Sequence, residues 1–140
     1  MCAASITCRV AFHAWHQSNT DVTGHHRLIF PTVTLNETCN DQGYNPATGV
    51  FTAPTSGYYA FFASSSNASP SRGLAVFAIY VDDTQVSAYA ESFSEGKAVS
   101  TSVQAVVKIR QGQEVSVMNI RNDGYESSHS SFSGISLSGV

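Results

Sequence analysis

Tyr58-Tyr59-Ala60-Phe61-Phe62 sets five apolar residues in succession between Gly57 and the serines that begin at Ser64. Side chains on a strand alternate between two faces, so an apolar run without polar interruption reads as a strand covered on both sides. Something must supply each cover. Just upstream, Val50 and Phe51 precede Ala53-Pro54, and the whole stretch GVFTAPTSGYYAFFAS reads as two antiparallel strands joined by a short Pro and Gly break.

The flanking chain repeats the strand signature. Ile6, Cys8, Val10, Phe12 and Ala14 share one face of a segment from Ile6 to Trp15. A polar loop is expected over 17–27, then a β-rich run from Leu28 to Leu35, with Pro31 favouring an edge or a bulge. Asn, Asp, Gly and Pro punctuate Asn36 to Gly49, where Tyr44 is the large apolar anchor. A serine loop follows over 64–73. Strands are then expected from Leu74 to Val81 and Gln85 to Phe93, turning at Asp82-Asp83. Val99, Thr101, Val103, Ala105, Val107 and Ile109 alternate through Ala98 to Arg110, and Gln111-Gly112-Gln113 reads as a hairpin connection to Glu114–Ile120. A polar loop is expected from Asn122 to about Ser130, and a last strand from Phe132 to Val140. No stretch holds a helical period over three turns, and many short strands between turn signals argue for an antiparallel sandwich or jelly roll.

With 140 residues the chain fits one domain, 1–140, with its core over about 6–140. Charged residues are 12% of the total, about half the usual share. Serine, threonine and asparagine carry the polar surface instead, which supplies hydroxyl and amide partners for sugars. The formal net charge of -3 comes without a basic run, so the footprint of a nucleic-acid binder is missing. No window approaches the roughly 18 apolar residues that span a bilayer. The first ten residues make a poor secretory signal. Two readings stand: an intracellular protein, or a mature secreted domain whose signal lies outside this sequence. Sequons at Asn36-Glu37-Thr38 and Asn67-Ala68-Ser69 suit secretion. Three cysteines, Cys2, Cys8 and Cys39, permit one intrachain pair and leave an odd thiol.

The order Val10-Ala11-Phe12-His13-Ala14, Ile29-Phe30 with Val33, Gly43-Tyr44, Gly49-Val50-Phe51, Ala53-Pro54 and Gly57-Tyr58-Tyr59-Ala60-Phe61 resembles the globular domain of complement C1q. The likeness continues through VVKIRQGQEVSV at Val106–Val117 and ends in Ser131-Phe132-Ser133-Gly134-Ile135-Ser136-Leu137. It implies a ten-stranded antiparallel jelly-roll sandwich of the tumour necrosis factor type, assembled as a homotrimer. It also implies that Tyr59 and Phe61 point into the core while Tyr58, Ala60 and Phe62 lie on a sheet face packed against neighbouring subunits, with Tyr58 and Phe62 as trimer contacts. No Gly-X-Y repeat is present, so the chain resembles the stalkless secreted members common among invertebrates. On the implied topology Cys8 and Cys39 fall at the same end of the sandwich, so a Cys8–Cys39 bridge is expected, with Cys2 free or linking subunits.

The implied up-and-down strands collect the loops 17–27, 64–73, 92–98 and 122–130 at the end opposite the termini, where a rigid scaffold presents binding residues. Tyr125 offers an aromatic face beside Asp123, Ser127 and His129, and Arg72 or Arg121 offers a partner for an anionic sugar such as sialic acid. Asp123 and Glu126 are the oxygen donors for a candidate calcium ion. Four of the five histidines, at 13, 16, 25 and 26, lie early in the chain, but His25-His26 is not a zinc spacing. No Gly-x-Ser-x-Gly elbow, His-Glu-x-x-His box or phosphate-cradling loop occurs, so an enzyme is not expected. The function expected from the resemblance is a secreted pattern-recognition lectin of innate immunity, binding microbial or host glycans through the apical loops. The alternative is a cytokine-like or adhesion ligand that meets a protein receptor at the subunit grooves.

Overall fold

A computed structural model describes residues 8–21, 26–67, 73–93, 99–122 and 126–137. The strands are β1 Ala11–Asp21, β2 His26–Arg27, β3 Thr32–Glu37, β4 Tyr44–Asn45, β5 Val50–Thr52, β6 Gly57–Asn67, β7 Gly73–Val81, β8 Thr84–Phe93, β9 Val99–Ile109, β10 Glu114–Asn122 and β11 Glu126–Ser136. Ten of them form two antiparallel paths, β3-β1-β11-β6-β9 and β4-β5-β10-β7-β8, and the two-residue β2 pairs with β10 beside the second path. This is the expected all-β jelly roll.

The chain's alternation places the core. Val10, Phe12 and Ala14 from the first path, Tyr59, Phe61 and Ala63 from β6, and Val103, Ala105 and Ile109 from β9 are buried against Phe51, Phe77, Ile79, Val115 and Val117 of the second path. Phe12 sits at the centre: its ring stacks on Phe51 at 4.9 Å and on Tyr44 at 5.2 Å, and Phe132 meets it edge-on at 5.0 Å. Gly134 of β11 makes room for this cluster, because a Cβ there would run into the Phe12 and Phe61 rings. The Tyr44 hydroxyl donates to the Phe30 carbonyl at 2.9 Å and accepts from the Phe30 N–H at 3.0 Å. Burial pushes its pKa up to about 12 despite that backbone hydrogen bond.

Two expected hairpins are not hairpins. β5 pairs with β4 and β10, whereas β6 pairs with β11 and β9, so the break at Ala53–Ser56 carries the chain from one sheet to the other. The Gln111–Gln113 turn does the same between β9 and β10. Turn residues specify a reversal of direction but not which sheet receives the next strand. The Asp82-Asp83 turn, by contrast, joins the true hairpin of β7 and β8. Asp82 adopts a φ of 51° there. Hydrogen bonds from the Glu114 N–H and the Gln113 side chain hold its carboxyl below the ordinary value.

Several expected loops are strand. β1 continues to Asp21, β6 to Asn67, and β11 already begins at Glu126. These polar ends pair with one another, Asp21 opposite Glu126 and Asn67 opposite Val99, so backbone hydrogen bonding overrides a loop-like composition. At the other end, Cys8 and Cys39 are joined in a disulfide with Cα atoms 5.2 Å apart, tying the entry of β1 to the segment after β3. A link closing a loop of this size is worth about 3–4 kcal/mol in the chain-entropy account.

Candidate functional site

The outward face of the five-stranded sheet divides into two regions, and strand register defines both. One row runs Glu37, Ala11, Ile135, Ala60, Val106, and the next runs Leu35, His13, Ser133, Phe62, Gln104. Tyr58 lies beside these rows, opposite Lys108, and its carbonyl accepts from the Leu137 N–H. Here large apolar side chains face water: Val106 is 70% exposed, Tyr58 53%, Phe62 45% and Ile135 42%. Their inward neighbours Tyr59 and Phe61 are 1% and 0% exposed. Ala60 is buried because it is small and its cross-strand neighbours are not. The Lys108 ammonium stands 5.9 Å from the Tyr58 ring centroid, a cation–π contact at the edge of the patch.

Toward the other end the same face turns hydrophilic. One row there is Trp15, Ser131, Ser64, Ser102 and the next is Gln17, His129, Ser66, Ser100. The hydroxyls of Ser64 and Ser131 are hydrogen bonded at 2.9 Å, and Ser66 donates to the His129 carbonyl at 3.4 Å. His13 stands where the two regions meet, its Nδ1 bonded to the Ser133 hydroxyl. A cleft of about 370 Å³ lies over β1, β11, β6 and β9, walled by Trp15, His13, His129 and serines. A neighbouring cleft of about 530 Å³ continues across β6 and β9 to Ser87 and Ala88 of β8, and the two share Ser64 and Ser131.

Among the described residues, strand ends meet at one edge of the sandwich. Asp21 pairs with Glu126, Asn67 with Val99, Gly73 with Phe93 and Ala75 with Asn122, so these ends collect opposite the disulfide. Of the residues expected to bind ligand, Arg72, Asp123 and Tyr125 lie outside the described residues. Arg121 falls on β10, and Ser127 and Glu126 on β11, rather than on loops, and the positions of their side chains are likewise outside what is described. His129 is also on β11, exposed, and belongs to the cleft on the sheet face instead of a loop cluster. Among the described residues no three His, Cys, Asp or Glu side chains come together as a metal-holding group.

Trp15 and the serine rows are what the loop-centred reading missed. The sequence hides them: Ser64-Ser65-Ser66 is an unbroken serine run and Thr101 separates Ser100 from Ser102, so no contrast of apolar and polar residues marks a strand face there. Asn36 is another surprise. Its side-chain amide donates to the Tyr44 carbonyl at 3.0 Å, so the sequon nitrogen is engaged in bracing the core tyrosine.

The architecture is an antiparallel jelly roll with one partly apolar, solvent-facing sheet surface. The sequence matches the C1q domain over residues 11–137, and the chain belongs to that family. The fold is shared with the globular domain of zebrafish complement 1qA protein, at 17% identity and a TM-score of 0.74, covering 92% of this chain and 98% of that one. It is shared equally with murine APRIL, at 11% identity and a TM-score of 0.72, covering 92% of this chain and 99% of that one. No protein of curated function matches the sequence. No helix among the described residues is long and apolar enough to cross a membrane.

Proposed function

We propose that this chain is a secreted lectin of the C1q family that assembles as a trimer and binds glycans. The observation that carries the reading is the solvent-facing aromatic patch of Tyr58 and Phe62 on β6, a strand whose opposite face is fully buried. Covering that patch with further copies of the chain removes exposed apolar surface from water. It also holds three loop-bearing ends in fixed relation. Weak single-site sugar contacts then add as avidity. The low charge and hydroxyl-rich surface suit neutral and microbial glycans, and Arg72 or Arg121 extends the reading to sialylated ones. The Cys8–Cys39 disulfide supports an oxidising, extracellular compartment.

A glycan array probed with and without a calcium chelator tests the function. Selective sugar signals are expected, and Tyr125→Ala lowers them while the trimer persists. Signals abolished by the chelator assign calcium, with Asp123 and Glu126 as its donors. A silent array combined with tight binding to a cell-surface protein overturns the lectin reading in favour of a receptor ligand.

A further inference from the structure

Asn36 joins the two sheets along one edge of the sandwich. β3 ends the first path and β4 ends the second. The Asn36 amide bridges them: Nδ2 donates to the Tyr44 carbonyl at 3.0 Å, and Oδ1 accepts from the Tyr44 N–H at 3.4 Å. Toward β5, the Gly43 and Asn45 carbonyls accept from Thr52 and Gly49, so the Tyr44 backbone groups turn to this side chain instead. A planar amide that meets both groups of one residue must donate the hydrogen lying on the same side as Oδ1.

The same asparagine opens the sequon Asn36-Glu37-Thr38. The fold uses its first residue and leaves the hydroxyl of its third idle. That Thr38 oxygen is buried without a hydrogen-bond partner among the described residues, a cost that a valine of the same shape would not carry. Transfer of an N-linked glycan is what calls for a hydroxyl there. Asn36 is also exposed and lies opposite Phe12, off the outward rows of Leu35 and Glu37 that further copies would cover. We infer that Asn36 is a site of N-linked glycosylation at which the glycan and the bridge to Tyr44 exclude each other. Nδ2 forms a bond to the anomeric carbon of a polyprenyl-pyrophosphate oligosaccharide, the pyrophosphate departs with the bonding pair, and Nδ2 loses one proton. In the trans arrangement that secondary amides favour, the sugar carbon takes the side of Oδ1. The hydrogen it replaces is the one donated to the Tyr44 carbonyl, so an occupied chain gives up the bridge. The inference rests on the secreted reading, which supplies the compartment.

The full chain, secreted from a eukaryotic host behind the host's leader, is compared with two variants. Thr38→Val keeps Asn36 but destroys the sequon, and Asn36→Asp has no hydrogen to donate. Ser69→Ala in every chain removes the second sequon. Peptide masses after amidase release are expected to show a glycan at Asn36 in the parent and none in Thr38→Val. The occupied parent is expected to melt roughly 3–6 °C below Thr38→Val, with Asn36→Asp falling alongside it. An unoccupied Asn36 in the parent overturns the site. An occupied parent, or an Asn36→Asp chain, that melts together with Thr38→Val overturns the competition with the bridge. Because the host leader supplies the compartment, an unoccupied Asn36 counts against the site and not against secretion, which fractionation of the native source tests separately.

Discussion

The two faces of β6 are built from similar residues and do different work. Inward, Tyr59 and Phe61 are completely enclosed, and even the Tyr59 hydroxyl is satisfied by the Thr55 carbonyl at 2.7 Å. Outward, Tyr58 and Phe62 are about as bulky and remain half exposed, with nothing among the described residues to enclose them. The difference teaches that an apolar pattern records how much cover a strand requires, not who provides it. For the inward face the provider is the second sheet. For the outward face it is proposed to be another copy of the same chain.

The inward face should respond to substitution far more strongly than the outward one. Phe61→Ala is expected to cost about 3–5 kcal/mol, since it removes a fully buried ring from a cluster that includes Phe51, Tyr59, Phe12 and Phe132. Denaturant unfolding measures it, and a loss below 1 kcal/mol would show that the cluster can collapse around the gap. Gly134→Ala is expected to cost less, about 1–3 kcal/mol by overpacking against the Phe12 and Phe61 rings. An increase in stability in the same assay would mean that the rings give way and that strand propensity decides the sign.

Much of this contrast is legible in the residues themselves. Val10, Phe12 and Ala14, and Thr101 through Ile109, announce their inward face by strict alternation, and the run at Tyr58–Phe62 announces a second cover. The sheet assignment of each strand is not legible, because Ala53–Ser56 and Gln111–Gln113 carry the same turn chemistry as a hairpin yet cross between sheets. Strand length is underread wherever serine, asparagine and threonine dominate. Composition at 17–21, 64–67 and 126–130 says loop, while the pairing partners, distant in sequence, make those residues strand. That is also why the loop-centred site reading passed over the Trp15 cleft. Its walls come from β1, β6, β9 and β11, and only their register brings Trp15, Ser131 and Ser64 into one row.

The central claim, that the outward face of β6 is an assembly surface, is tested most directly by sedimentation equilibrium at micromolar concentration on the wild-type chain and on the Tyr58→Ser, Phe62→Ser double variant. The account predicts a trimer for the wild type and a monomer with an unchanged far-ultraviolet circular dichroism spectrum for the variant. A wild-type monomer, or a variant that sediments as a trimer, would contradict it.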